Sequence, residues 1–181
     1  TAVLNVNDVP TGLPTISGSA VEDQTLTADT SGIADADGLG AFSYQWLRGG
    51  APIAGATSST YTLDNADVGA LISVRVDYTD QQGTAESLTS AQTAAVVNVN
   101  DPPTGLPTIS GSVVEDQTLT ADTSGIADAD GLGAFSYQWL RGGAPIAGAT
   151  GSTYTLVDVD AGALISVRVD YTDQQGTAES L

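Results

Sequence analysis

The chain has 181 residues, with 22 Asp and Glu against four Arg, no Lys, no His, no Cys and a formal net charge of −18 at pH 7. That balance argues against a nucleic-acid partner, which needs clustered cations, and against an anionic membrane surface. Without Cys or His there are no disulfides, no zinc–thiolate sites and no ordinary Ser–His or Cys–His nucleophile, so no catalysis is expected.

Hydrophobic residues make up 41% of the chain, enough to bury a core and to argue against disorder. No run approaches the roughly 18 apolar residues of a membrane-spanning helix. Residues 1–10 read as an incoming linker. Turn signals then separate strands expected near 13–18, 23–29, 41–48, 51–54, 59–63, 70–79 and 84–97. Helical periodicity is absent. Ile72, Val74, Val76 and Tyr78 alternate with Ser73, Arg75 and Asp77, and Phe42, Tyr44 and Trp46 alternate with Ser43, Gln45 and Leu47. Each run is a strand with one buried face.

The same runs return 93 residues later, and only nine of 88 comparable positions differ. Four of the nine lie together at 64, 65, 66 and 68. The period is too long for a solenoid unit and long enough for a domain with its own core. Two domains are expected, 1–98 and 99–181, the second with its last strand cut short. Residues 1–4 match 94–97, as they would in a window from a longer array. A near-copy adds nothing to a catalytic site, whereas it adds reach to a spacer and valency to an adhesive surface.

Tyr44-Gln45-Trp46, Tyr61-Thr62-Leu63, Asp67-Val68-Gly69 and Val74-Arg75-Val76-Asp77-Tyr78 together resemble a bacterial immunoglobulin-like repeat. The resemblance implies an all-β chain of two tandem immunoglobulin-like β-sandwich domains, about seven strands each. It also implies two poles. The loops before the third strand and after the sixth lie where the chain enters a domain. The loops before the second strand and after the fifth lie where it leaves. This places Asp35, Asp37 and Asp80 at the first domain's N-terminal pole, with Asp8 in the incoming linker, and Asp128, Asp130 and Asp173 at the second domain's. Glu22, Asp23 and Asp67 fall at the first domain's C-terminal pole. The linker Asn98-Val99-Asn100-Asp101-Pro102 resembles the Asp-x-Asn-Asp-Asn linker of cadherin repeats, and Asp128-Ala129-Asp130 resembles their Asp-x-Asp.

The resemblance implies Ca²⁺ between the domains, on Glu22, Asp23, Asp67, Asn98, Asn100, Asp101, Asp128, Asp130 and Asp173. Crowded carboxylates repel, and a hard cation with six to eight oxygen ligands reverses the repulsion. Asp8, Asp35, Asp37 and Asp80 form a partial N-terminal half-site. Two stricter calcium signatures are absent: position 12 of an EF-hand loop begun at Asp35 is Trp46, and the Gly-Gly-x-Gly-x-Asp nonapeptide is missing. Asp29 and Asp64 read as turn caps. Trp46, Trp139, Tyr61 and Tyr154 lie on core-facing parity. Arg75 and Arg168 face outward and are expected to pair with Glu86 and Glu179, and Arg48-Gly49-Gly50 reads as a hairpin turn.

The whole pattern is similar to the tandem extender repeats of large RTX-type bacterial adhesins. That family implies an extracellular, calcium-stiffened spacer holding a distal binding region away from the cell. Its partners are the neighbouring repeats of the same chain, and it is monomeric. The rival readings are a carbohydrate- or protein-binding adhesive module and an accessory domain of a secreted enzyme.

Overall fold

The computed structural model describes residues 3–181; of the incoming linker, Thr1 and Ala2 lie outside the described residues. The chain is all-β and divides into two compact units, Thr1–Val99 and Asn100–Leu181. The division falls one residue beyond the expected one.

In the first unit the strands are β1 (Thr15–Ser17), β2 (Thr25–Asp29), β3 (Ser43–Arg48), β4 (Ala51–Pro52), β5 (Thr60–Thr62), β6 (Ile72–Thr79) and β7 (Ala85–Thr89). They form two antiparallel sheets, ordered β1-β2-β5 and β4-β3-β6-β7. The strands are shorter than the sequence pattern suggests, because their ends pass into turns. Leu26 and Ala28 from one sheet meet Trp46, Ile72, Val74 and Val76 from the other in a single core, closed by Ile33, Leu63 and Val96. The core-facing alternation of β6 is therefore realised: Ile72, Val74, Val76 and Tyr78 are all buried.

Trp46 sits opposite Val74 and is fully buried. Its indole N–H donates to the Ser58 carbonyl at 2.9 Å, and its ring packs on Tyr61 with centroids 5.8 Å apart. A buried indole needs such an acceptor. In the second unit Trp139 donates to the Gly151 carbonyl at 2.9 Å. The acceptor is main chain, so the Ser58/Gly151 difference between the copies leaves the bond intact.

The second unit repeats the order with β8 (Thr108–Ser110), β9 (Thr118–Asp122), β10 (Ser136–Arg141), β11 (Ala144–Pro145), β12 (Thr153–Thr155), β13 (Ile165–Thr172) and β14 (Ala178–Ser180). Its sheets are β12-β9-β8 and β11-β10-β13-β14.

The expected long last strand of the first unit, 84–97, is broken. After β7, the Ser90 Oγ accepts the Val74 N–H at 3.0 Å and the Thr93 Oγ1 accepts the Ile72 N–H at 3.1 Å. Hydroxyls take donors that a regular ladder would have used, which interrupts the strand. The chain then rejoins through bridges Leu71–Ala95, Val68–Val96 and Val21–Val97, the last two parallel. Val96 is buried by this return.

Arg75 also departs from expectation. Strand register sets Glu86 opposite Tyr78 and Thr89 opposite Arg75. Arg75 instead pairs with Asp77 on its own strand face at 3.0 Å, and Arg168 with Asp170 at 2.9 Å.

Candidate metal centre

At the N-terminal pole of the first unit, the loop before β3 and the loop after β6 lie side by side. Gly40 makes this approach possible: a Cβ there would lie 1.9 Å from the Thr79 carbonyl oxygen. In the first loop, Asp35 folds an Asx turn, its Oδ1 accepting the Asp37 N–H at 2.8 Å. Its Oδ2 accepts the Tyr78 hydroxyl at 2.6 Å. Burial and the neighbouring Asp35 push the Tyr78 phenol well above its ordinary range, so it stays a donor.

Asp80 organises the second loop. Its Oδ1 accepts the N–H groups of Gln82 and Thr84 at 2.8 and 2.7 Å. Its Oδ2 is buried and has no hydrogen-bond partner. Burial pushes its pKa up, but the Thr84, Gln82 and Gly83 N–H groups outweigh burial and hold it below the usual carboxylate value. Asp80 is thus a carboxylate with one bare oxygen, an arrangement that proteins ordinarily resolve with a water or an ion.

Carboxylate oxygens of Asp35, Asp80 and Glu86 lie within 4.8 Å of one another. The incoming linker docks on Glu86 and on Asp37 of the same pole. Asn7 Nδ2 donates to Glu86 Oε1 at 2.9 Å, and the Asp8 N–H donates to Asp37 Oδ2 at 2.7 Å.

The second unit builds the same pole. Asp128 accepts the Asp130 N–H at 2.9 Å and the Tyr171 hydroxyl. Asp173 Oδ1 accepts Gln175 and Thr177 N–H at 2.9 and 2.8 Å, and its Oδ2 is likewise buried without a partner. Asn100 Nδ2 donates to Glu179 at 3.0 Å, and the Asp101 N–H to Asp130 at 2.8 Å.

The residues at the C-terminal pole of the first unit are engaged differently. Glu22 is buried, and its Oε2 accepts the Val99 N–H at 3.1 Å. Asp23 is exposed and holds a left-handed turn at φ 62°. Asn98 Oδ1 is buried without a partner. Asp67, expected as a cation ligand, is committed elsewhere. It is fully buried, with Oδ1 2.7 Å from Arg48 Nε and Oδ2 accepting the Tyr61 hydroxyl at 2.8 Å and the Asp64 N–H at 3.0 Å. Burial pushes it up, yet Arg48 and these donors hold it below the usual carboxylate value. Asp160 repeats the cluster with Arg141, Tyr154 and Val157. Asp64 caps the following turn through the Ala66 N–H, and Asp29 caps its own through Ser31, as expected.

Of the sequence-derived residues, then, Asp8, Asp35, Asp37 and Asp80 share one pole, and Asn100, Asp101, Asp128, Asp130 and Asp173 share its counterpart. Glu86, Glu179 and Asn7 join them and were not among the expected ligands. For the two Glu the signal was the alternation of the last strand, which points Glu86 to the same side as Tyr78. The donor set is all oxygen and mostly carboxylate, which fits a hard cation such as Ca²⁺ and not a thiolate- or imidazole-seeking metal. The bare Asp80 and Asp173 oxygens are the particular features that such an ion would satisfy. No protein-family model matches the chain, and no curated protein matches it. No helix among the described residues is long and apolar enough to cross a membrane.

Proposed function

We propose that the chain is a calcium-stiffened spacer, a stretch of extender repeats from an extracellular bacterial adhesin that carries a distal binding region outward. The observation that carries this reading is the docking of each linker on an acid-lined pole. Asn7–Asp8 and Asn100–Asp101 make equivalent bonds to Glu86/Asp37 and Glu179/Asp130. An ion held by these acids fastens the linker to the domain it leads into and removes the repulsion that bare carboxylates impose. The chain works without catalysis, as a monomer, with the neighbouring repeats as its partners.

An adhesive carbohydrate-binding role would need exposed aromatic platforms, and both Trp rings are fully buried. Thermal melting in calcium and in chelator tests the reading. At about ten times its dissociation constant an ion bound only to the folded state adds about 1.4 kcal/mol per site. Chelator is expected to lower the melting temperature by several degrees, and Asp80→Asn to reduce that response. A melting temperature indifferent to calcium removes the ion from the account.

A further inference from the structure

We infer that each repeat holds its own cation, at a site built from residues of that repeat. The inference rests on the calcium reading above and goes beyond it. Topology alone makes each pole a half-site that acids of a preceding domain would complete. At the first pole the residues of one repeat already come together. Asp35, Asp80 and Glu86 come from one unit and already bring three carboxylate oxygens within 4.8 Å of one another.

The second, independent observation is the bare oxygen. Asp80 is only 6% exposed, and its Oδ1 is turned to the loop backbone, leaving Oδ2 buried in the pole without a partner. Leaving a buried charged oxygen unsatisfied is costly, and a cation shared with Asp35 and Glu86 removes that cost. Asp173, also 6% exposed, presents the same bare oxygen in the second unit. A feature this unfavourable, built twice from the same residues, is one each repeat carries for itself.

Glu86 is the ligand that distinguishes this arrangement. It lies on β7 opposite Tyr78, whose hydroxyl fixes Asp35. The strand thus delivers a carboxylate that no linker or preceding domain supplies. Its Oε1 also accepts Asn7. Ion and linker therefore share one side chain, and occupancy of the site bears on the segment leading into the same repeat.

Calcium titration of the full chain, by calorimetry and by terbium luminescence sensitised through Tyr78 and Tyr171, tests this. The expected result is two ions of similar affinity, one per repeat. Glu86→Gln should weaken one of them about tenfold or more, since ligand charge sets affinity at such sites, and leave the other unchanged. Glu179→Gln should do the converse, and far-UV circular dichroism reports that both variants remain folded. A first-repeat site that is absent, or indifferent to Glu86→Gln, overturns the inference, as does a single ion lost on Glu179→Gln alone. Two bound ions without any change in the maximum dimension seen by small-angle scattering would leave this inference standing and sink the spacer reading instead. No cation binding at all would sink both.

Discussion

At the scale of single residues, the most consequential side chain outside the candidate metal centre is Asp67. It is fully buried and its charge is met by Arg48, Tyr61 and the Asp64 backbone. Removing one partner of a buried pair strands the other. Arg48→Ala is therefore expected to destabilise the first unit by about 3 kcal/mol, at the lower end because Arg48 is partly exposed. The urea midpoint checks it. The pH dependence follows from the direction of the shift. The folded Asp67 pKa lies below its ordinary value, which in the unfolded chain is about 3.9. Its contribution is thus complete above that value and is lost as pH falls through the lower folded one. Asp67→Asn should flatten the acid limb of a urea-midpoint-against-pH curve; an unchanged limb would show that Asp67 contributes nothing to acid sensitivity. Gly40 is the other sensitive point. Gly40→Ala drives a methyl into the Thr79 carbonyl, so it should cost about 1–3 kcal/mol, as overpacking does, and lower the melting temperature of the first unit.

At the scale of elements, the strands that read clearly from the sequence are those with one buried face. A slip of one residue would turn Ile72, Val74, Val76 and Tyr78 outward, so the alternation and the structure must agree. The last strand was less legible. Nothing in an alternating pattern shows that Ser90 and Thr93 will take backbone donors with their hydroxyls and break the ladder. The candidate metal centre divides in the same way. Asp35, Asp37 and Asp80 lie in Gly- and Asp-rich loops that announce themselves, while Glu86 hides in a strand where it reads as a partner for Arg75. Asp67 was placed at the right pole, but topology is blind to Arg48, which claims it. One consequence of the broken strand is testable. In the first unit residues 93–97 return over the end of β6, and Val96 is buried by this return. Fully burying such a side chain is worth about 1.5–3 kcal/mol. Calorimetry of Val96→Ala should show the first unit's transition falling while the second stays fixed; no fall would mean that the return segment does not stabilise the fold.

At the scale of the whole molecule, the formal net charge of −18 favours solubility and opposes close association of acidic surfaces. Each linker carries its own Asn-Asp pair onto an acidic pole, so the bending freedom of the chain should be governed by whether those poles are neutralised. Monovalent salt screens such repulsion only partly, because the Asp80 and Asp173 oxygens are buried and not bathed in solvent. Specific divalent binding and general screening should then separate in experiment. The central claim is that calcium makes this chain a stiff spacer. Small-angle scattering of the full chain in calcium and in chelator, at fixed ionic strength, measures it most directly. The account predicts a longer maximum dimension and a narrower distribution of conformations with calcium, and a shorter, broader one in chelator. Asp80→Asn/Asp173→Asn should resemble the chelated state even when calcium is present. Superimposable profiles with and without calcium would contradict it.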